Sequence, residues 1–140
     1  MKHDIKAIGV LTPFRPVNGN AYIVRLMLLI YASRVLVQGD YAYVGGKQGL
    51  QIVAIREPTH PVIVGSFATA PVISLALSTN YLYVLDNAGG LSLIEISAPD
   101  HAQRRGFLQA SGSADNLLVV DHYLYLDTTE SLQVIDVATP

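Results

Sequence analysis

"GLQIVAI", Gly49 to Ile55, is written again as "GLSLIEI", Gly90 to Ile96, and a third time as "SLQVIDV", Ser131 to Val137, each copy 41 residues after the last. Two further registers keep step with it. An aromatic pair recurs as "DYAYV" (Asp40 to Val44), "NYLYV" (Asn80 to Val84) and "HYLYL" (His122 to Leu126), at spacings of 40 and 42. A proline follows the glycine-led stretch at Pro58, Pro99 and Pro140. Agreement between the three defines an internal repeat, and a period of this length is the mark of stacked or radial architectures.

Within one period, short apolar stretches alternate with turn chemistry. "VISLALS" (Val72 to Ser78) runs into Thr79-Asn80, "YLYVL" into "DNAGG", "LSLIEI" into "SAPDHA" and "RRGFL" into "QASGS". Each stretch is rich in β-branched, aromatic or leucine side chains, and each gap holds the Gly, Pro, Asn, Asp or Ser that bounds a strand. That makes four strands per period. The gaps are too short for a crossover helix, so consecutive strands run antiparallel as a meander. "PVIVGSF" and "NLLVV" are apolar on both sides of the pleat and require cover above and below. Four-stranded sheets stacked at a period of 40 to 45 residues provide that cover as the blades of a β-propeller. The expected fold is all-β, with about three four-stranded antiparallel blades. The apolar run Ala21 to Val37, broken by Arg25 and Arg34, reads as two buried strands, with a helix as the alternative, and falls short of the ~18 clean residues of a membrane-spanning helix.

"GDYAYVGGKQGLQIVAIREPTHPVIVGSF" and "TNYLYVLDNAGGLSLIEISAPDHAQRRGF" resemble the LVIVD-repeat family of bacterial and archaeal surface proteins. That repeat reads G-N-Y-A-Y-V-A, a glycine turn, G-L-x-I-I-D-V-S, then D-P-x-x-P and V-G-S-Y. The resemblance covers residues 20–140, in units of about 30–68, 70–108 and 113–140, and leaves 1–19 as an unmatched N-terminal segment. It implies a propeller and an exported or cell-surface setting, and it brings no catalytic residues. Residues 1–16 break at Pro13 and Pro16 instead of running into an apolar signal-peptide core, so no leader is read there.

"YIVRLML", Tyr22 to Leu28, aligns without gaps to "VIVGSFA", Val62 to Ala68, which makes it an outer strand with no sheet of its own before it. The last segment, Ser131 to Val137, is a third strand with no fourth after it. Three blades are fewer than the four to eight that close a ring. The chain is therefore expected to be a fragment of a longer propeller, an open stack, or half of a homodimeric ring in which Tyr22–Leu28 of one copy pairs with Ser131–Val137 of the other.

Just over half of the 140 residues are hydrophobic and 14% are charged, against about 25% charged in ordinary soluble domains. So little polar covering points to apolar surface that meets another chain. The net charge of −2 comes from scattered groups and lacks the basic stripe that a phosphate backbone demands, so nucleic acid is not an expected partner. Absence of cysteine removes disulfides, thiolate metal sites and a cysteine nucleophile.

In a propeller the turns between second and third strands share one face with the connections between blades. Those turns are "GGKQG" (Gly45 to Gly49), "DNAGG" (Asp86 to Gly90) and "DTTES" (Asp127 to Ser131), and they offer Lys47, Gln48, Asp86, Asn87, Asp127 and Glu130 as candidate ligand-binding residues. A ring of oxygen donors suits a hard cation, but Asp and Asn are ordinary turn formers and take that role first. The four histidines lack the short spacing of a zinc site: His60 and His101 fall on different blades, His122 takes the turn position of Asp40 and Asn80, and His3 lies in the unmatched segment. No G-x-S-x-G elbow is present, and the glycines of "DNAGG" precede a strand and not a helix. No metal, cofactor or catalytic residue is assigned. The alternating tyrosines are read as packing between blades.

Two functions follow from these residues. One is a non-catalytic binding or scaffold module, for a protein, small molecule or carbohydrate. The other is a propeller hydrolase or lyase in which Asp86, Asp127 and Glu130 converge near the central channel. The fold by itself hosts both.

Overall fold

A computed structural model describes residues 9–12, 23–26, 31–110 and 113–137. The strands among them are β1 (Gly9–Thr12), β2 (Ile23–Leu26), β3 (Ala32–Gln38), β4 (Tyr41–Gly46), β5 (Gly49–Ala54), β6 (Val62–Ala68), β7 (Val72–Leu77), β8 (Tyr81–Asp86), β9 (Gly90–Glu95), β10 (Gln103–Gln109), β11 (Ala114–Val120), β12 (Tyr123–Thr128) and β13 (Leu132–Asp136). A 3-10 turn, Pro99–His101, precedes β10. Three antiparallel meanders result: β3-β4-β5-β6, β7-β8-β9-β10, and a three-stranded β11-β12-β13. These are the first, second and third blades, and β7 packs against both β3 and β11, so the innermost strands lie side by side.

The repeat is visible in the hydrogen bonding. At the end of each third strand one amide donates to the carbonyl of the turn between the first two strands: Ile55 N to Asp40 O, Ile96 N to Asn80 O and Val137 N to His122 O, all at 2.8 Å. The Gly, Asn and Asp of that turn tolerate the tight backbone, with Gly39 at φ 61° and Asp121 at φ 54°. One-residue register shifts at Ala32/Arg34, Val72/Ser74 and Ala114/Asn116 place a bulge at the same point of each inner strand.

Two apolar layers hold the blades together. Tyr43, Leu50 and Ile52 of the first blade meet Leu82, Val84 and Ile94 of the second. On the other side of the second blade, Tyr83, Leu85 and Leu91 meet Leu117, Leu124 and Leu126 of the third. Strands of period two present one row to each neighbour, which is why the second blade is apolar on both faces. Polar ties cross the same joints. Arg34 Nε donates to Ile73 O at 3.1 Å, Ser74 Oγ to Asn116 Oδ1 at 3.0 Å, and Arg104 Nη2 to Ala68 O at 3.2 Å.

One expectation is corrected. The run Ala21 to Val37 does hold strands, but β3 is not buried: Val35 and Val37 are 61% and 59% exposed. The exposure is confined to the inner strand: across from Val35 and Val37 on the same face, Val44 and Ala42 of β4 are buried with Val53 in a small cluster, and no described strand packs on this face of β3 itself. The unmatched N-terminal segment, 1–19, contains one described strand. Its Gly9–Thr12 pairs antiparallel with β2, from Gly9 opposite Leu26 to Thr12 opposite Ile23.

Candidate functional site

The turns named from the sequence gather at one end of the stack, and the backbone shows how. Gln48 O accepts from Thr69 N at 3.5 Å, Asn87 N donates to Pro71 O at 2.8 Å, Ala110 N to Gly89 O at 2.8 Å, and Thr129 N to Ser113 O at 2.8 Å. Each turn between second and third strands is thereby tied to the connections that lead from one blade to the next. Gln109 Nε2 adds a bond to Ala88 O at 2.7 Å.

On this laced end the six candidates do different work. Asp86 is buried, and its Oδ1 accepts from Ala88 N at 3.0 Å and Gly90 N at 2.9 Å. It closes its own turn, as short acidic side chains do. Asn87, Lys47, Gln48, Asp127 and Glu130 are exposed. The Lys47 ammonium lies 5.7 Å from the centre of the Tyr31 ring, a cation–π distance. Among the described residues no hydrogen bond or ion pair joins any two of the six, and no cluster of three or more His, Cys, Asp or Glu is placed to hold a metal.

Thr128 serves this end without being among the six candidates. In the third turn the role of Asp86 passes to Thr128, whose Oγ1 accepts from Ser131 N at 3.0 Å and Glu130 N at 3.2 Å and donates to Ser131 O at 2.9 Å. Asp127 is one position away and points elsewhere. The signal was present in the tyrosines, whose second interval of 42 aligns Asp86 with Thr128.

The opposite end carries a polar pocket of about 240 Å³ between the second and third blades, with Ser78, Asn80, Tyr83, Asp121 and His122 among its lining. Burial pushes the Tyr83 hydroxyl above its ordinary value, with Ser78 opposing and Tyr81 adding to the shift. Tyr43 is raised likewise by burial and then by Tyr41. Both rings are 1–2% exposed, so the inner tyrosine of each of the first two pairs is core and not a stacking platform. His60 and His101 are exposed, and His60 Nδ1 lies 3.0 Å from Thr59 Oγ1.

No helix among the described residues is long and apolar enough to cross a membrane. No curated protein matches the chain in sequence. Solved structures do match in shape. A structure from the nidogen/laminin complex has TM-score 0.59 at 12% identity, covering 83% of this chain and 48% of that one. The Cps50 (Swd1) β-propeller domain of Myceliophteria thermophila has TM-score 0.57 at 13% identity, covering 79% and 38%. Myxococcus xanthus glutaminyl cyclase has TM-score 0.52 at 18% identity, covering 84% and 53%. At such identities the likeness is one of fold, and the chain spans about half or less of the length of each. The LVIVD repeat model matches residues 31–69, 72–103 and 111–140, one match to each blade, so the chain belongs to the LVIVD-repeat family.

Proposed function

We propose that the chain is a non-catalytic binding or scaffold module that engages its ligand on the laced end. The observation that carries this reading is the backbone lacing itself: Gln48, Asn87 and Thr129 are each fixed to an interblade connection, so the exposed side chains beside them project from a rigid frame. A preorganised surface loses little entropy on binding, which favours recognition. Lys47, Gln48, Asn87, Asp127 and Glu130 supply one cation, two amides and two carboxylates, a set suited to hydrogen-bonding a polar ligand such as a peptide or a glycan.

The test is a screen of the purified chain on peptide and glycan arrays, followed by titration of any hit against a variant with all five residues changed to Ala. Saturable binding that falls at least tenfold in the variant supports the reading. Turnover of chromogenic ester or glycoside substrates that is lost in Asp127→Asn or Glu130→Gln overturns it.

A further inference from the structure

The third blade lacks two kinds of cover that its predecessors have. The cleft between the first two blades is shut by the 3-10 turn Pro99–His101 against β6, with Ala102 and Phe67 packed into the first apolar layer. The corresponding cleft between the second and third blades is open, an apolar groove of about 120 Å³ lined by Leu93, Gly106, Leu108, Leu124, Ile135 and Val137. Leu108, which stands where Phe67 stands, is 43% exposed. No described strand follows β13 in its sheet, whereas its counterparts β5 and β9 pair with β6 and β10.

The outward face of the same blade is also bare. Leu118, Tyr125 and Val134 lie directly across from one another on it. Ile52 and Leu50, the first-blade counterparts of Val134 and Leu132, are 0% and 1% exposed, while Val134 and Leu132 are 54% and 63% exposed and Leu118 on the same face 60%. A face that is covered by the next blade at both earlier positions in this chain is built to receive a blade here.

We infer that a second copy of this chain seats on this open side, giving its β2, Ile23–Leu26, to β13 as a fourth strand and its first blade to the face of Leu118 and Val134. Four observations select that occupant. Tyr22–Leu28 aligns with β6, the fourth strand of the first blade. Within one chain β2 lies on β1 and not on β13, so the segment does not complete its own third blade. The exposed Val35 and Val37 of the first blade stand where Leu75 and Leu77 stand, and those two pack on the preceding blade. Two such chains make six blades, within the four to eight that close a ring, and the two-fold axis makes both joints identical. Transferring the pairing of Gln51 with Ser66 puts Leu26 opposite Gln133, and the four residues of β2 then end short of Ser131.

The experiment uses the 140-residue chain, which has no cysteine of its own. Sedimentation should give twice the chain mass of 15.1 kDa. Leu26→Cys combined with Gln133→Cys should oxidise to a reducible dimer in high yield, and each single variant should not. Val134→Lys, at a position exposed within one chain, should keep the far-ultraviolet circular dichroism while weakening the dimer at least tenfold. A monomeric wild-type chain, a cross-link that stays within one chain, or an open-ended ladder of cross-linked species would each overturn the inference. None of these outcomes touches the ligand reading of the laced end, which the five-residue variant tests separately.

Discussion

Gly45 shows how closely two blades approach. A Cβ built there would meet Val72 Cγ1 at 2.6 Å, and Val72 is buried, β-branched and already part of the first apolar layer. The repeat counterparts are Leu85, fully buried, and Asp127, exposed, so one register position is empty, apolar or acidic according to what faces it. Gly45→Ala should destabilise the fold by about 1–3 kcal/mol, the usual penalty for a methyl group forced into a packed core. Val72→Ala in the same chain should remove most of that penalty, and the coupling is read from a double-mutant cycle of urea unfolding. Strict additivity would show that the two residues do not press on each other. Gly49, the first residue of the repeated stretch, is pinned for a different reason: at φ 135° its missing side chain leaves room for the carbonyl of Phe67. Ser131 takes its place in the blade that has no described fourth strand, where no such carbonyl presses.

Among the elements, β8 carries the most. It presents Leu82 and Val84 to the first blade and Tyr83 and Leu85 to the third, all 0–2% exposed. Leu82→Ala should therefore cost about 2–5 kcal/mol, the range for opening a cavity in a dry core. Val62→Ala, at a site 55% exposed on the margin of the first blade, should stay within about 0.5 kcal/mol of wild type. Chemical denaturation of the two variants checks the contrast, and equal losses would deny the layered arrangement. The elements also show what the sequence could and could not tell. Turn residues and period-two apolar rows sit close together in the chain, so β4, β5, β8, β9 and β12 were legible from residues such as Tyr41, Gly49 and Asn80. Exposure of β3 was not, because the apolar run that contains it looks the same whether or not another sheet covers it. Strand β1 was missed because it is four residues long and preceded by no repeat. The handover from Asp86 to Thr128 was not legible because the glycine-led register of 41 sets Asp127, an equally good turn former, opposite Asp86.

Across the described residues the main contacts between blades run from the first to the second and from the second to the third, so stability is close to a sum of nearest-neighbour joints. The second blade shares two joints and the others one each. Amide hydrogen exchange should follow that order in Val134→Lys, chosen to hold the single chain: slowest in β8 and β9, fastest in β3 and β13. Uniform protection across all three blades would contradict it. The candidate site was legible at the same scale only as a place. That the three turns share an end followed from the repeat; which of their side chains serve the backbone depended on distances no spacing reveals.

The lacing of one end by Gln48, Asn87, Gly89 and Thr129 has a consequence for how such a chain can be altered. Extra residues spliced into a laced turn would cut a backbone bond shared by two blades. At the other end Arg56, Glu57, Pro58, Thr59 and His60 form an exposed loop closed on itself by His60 N to Glu57 O at 2.8 Å. A foreign epitope grafted there leaves every interblade bond intact, so variation in length belongs on that side of the molecule.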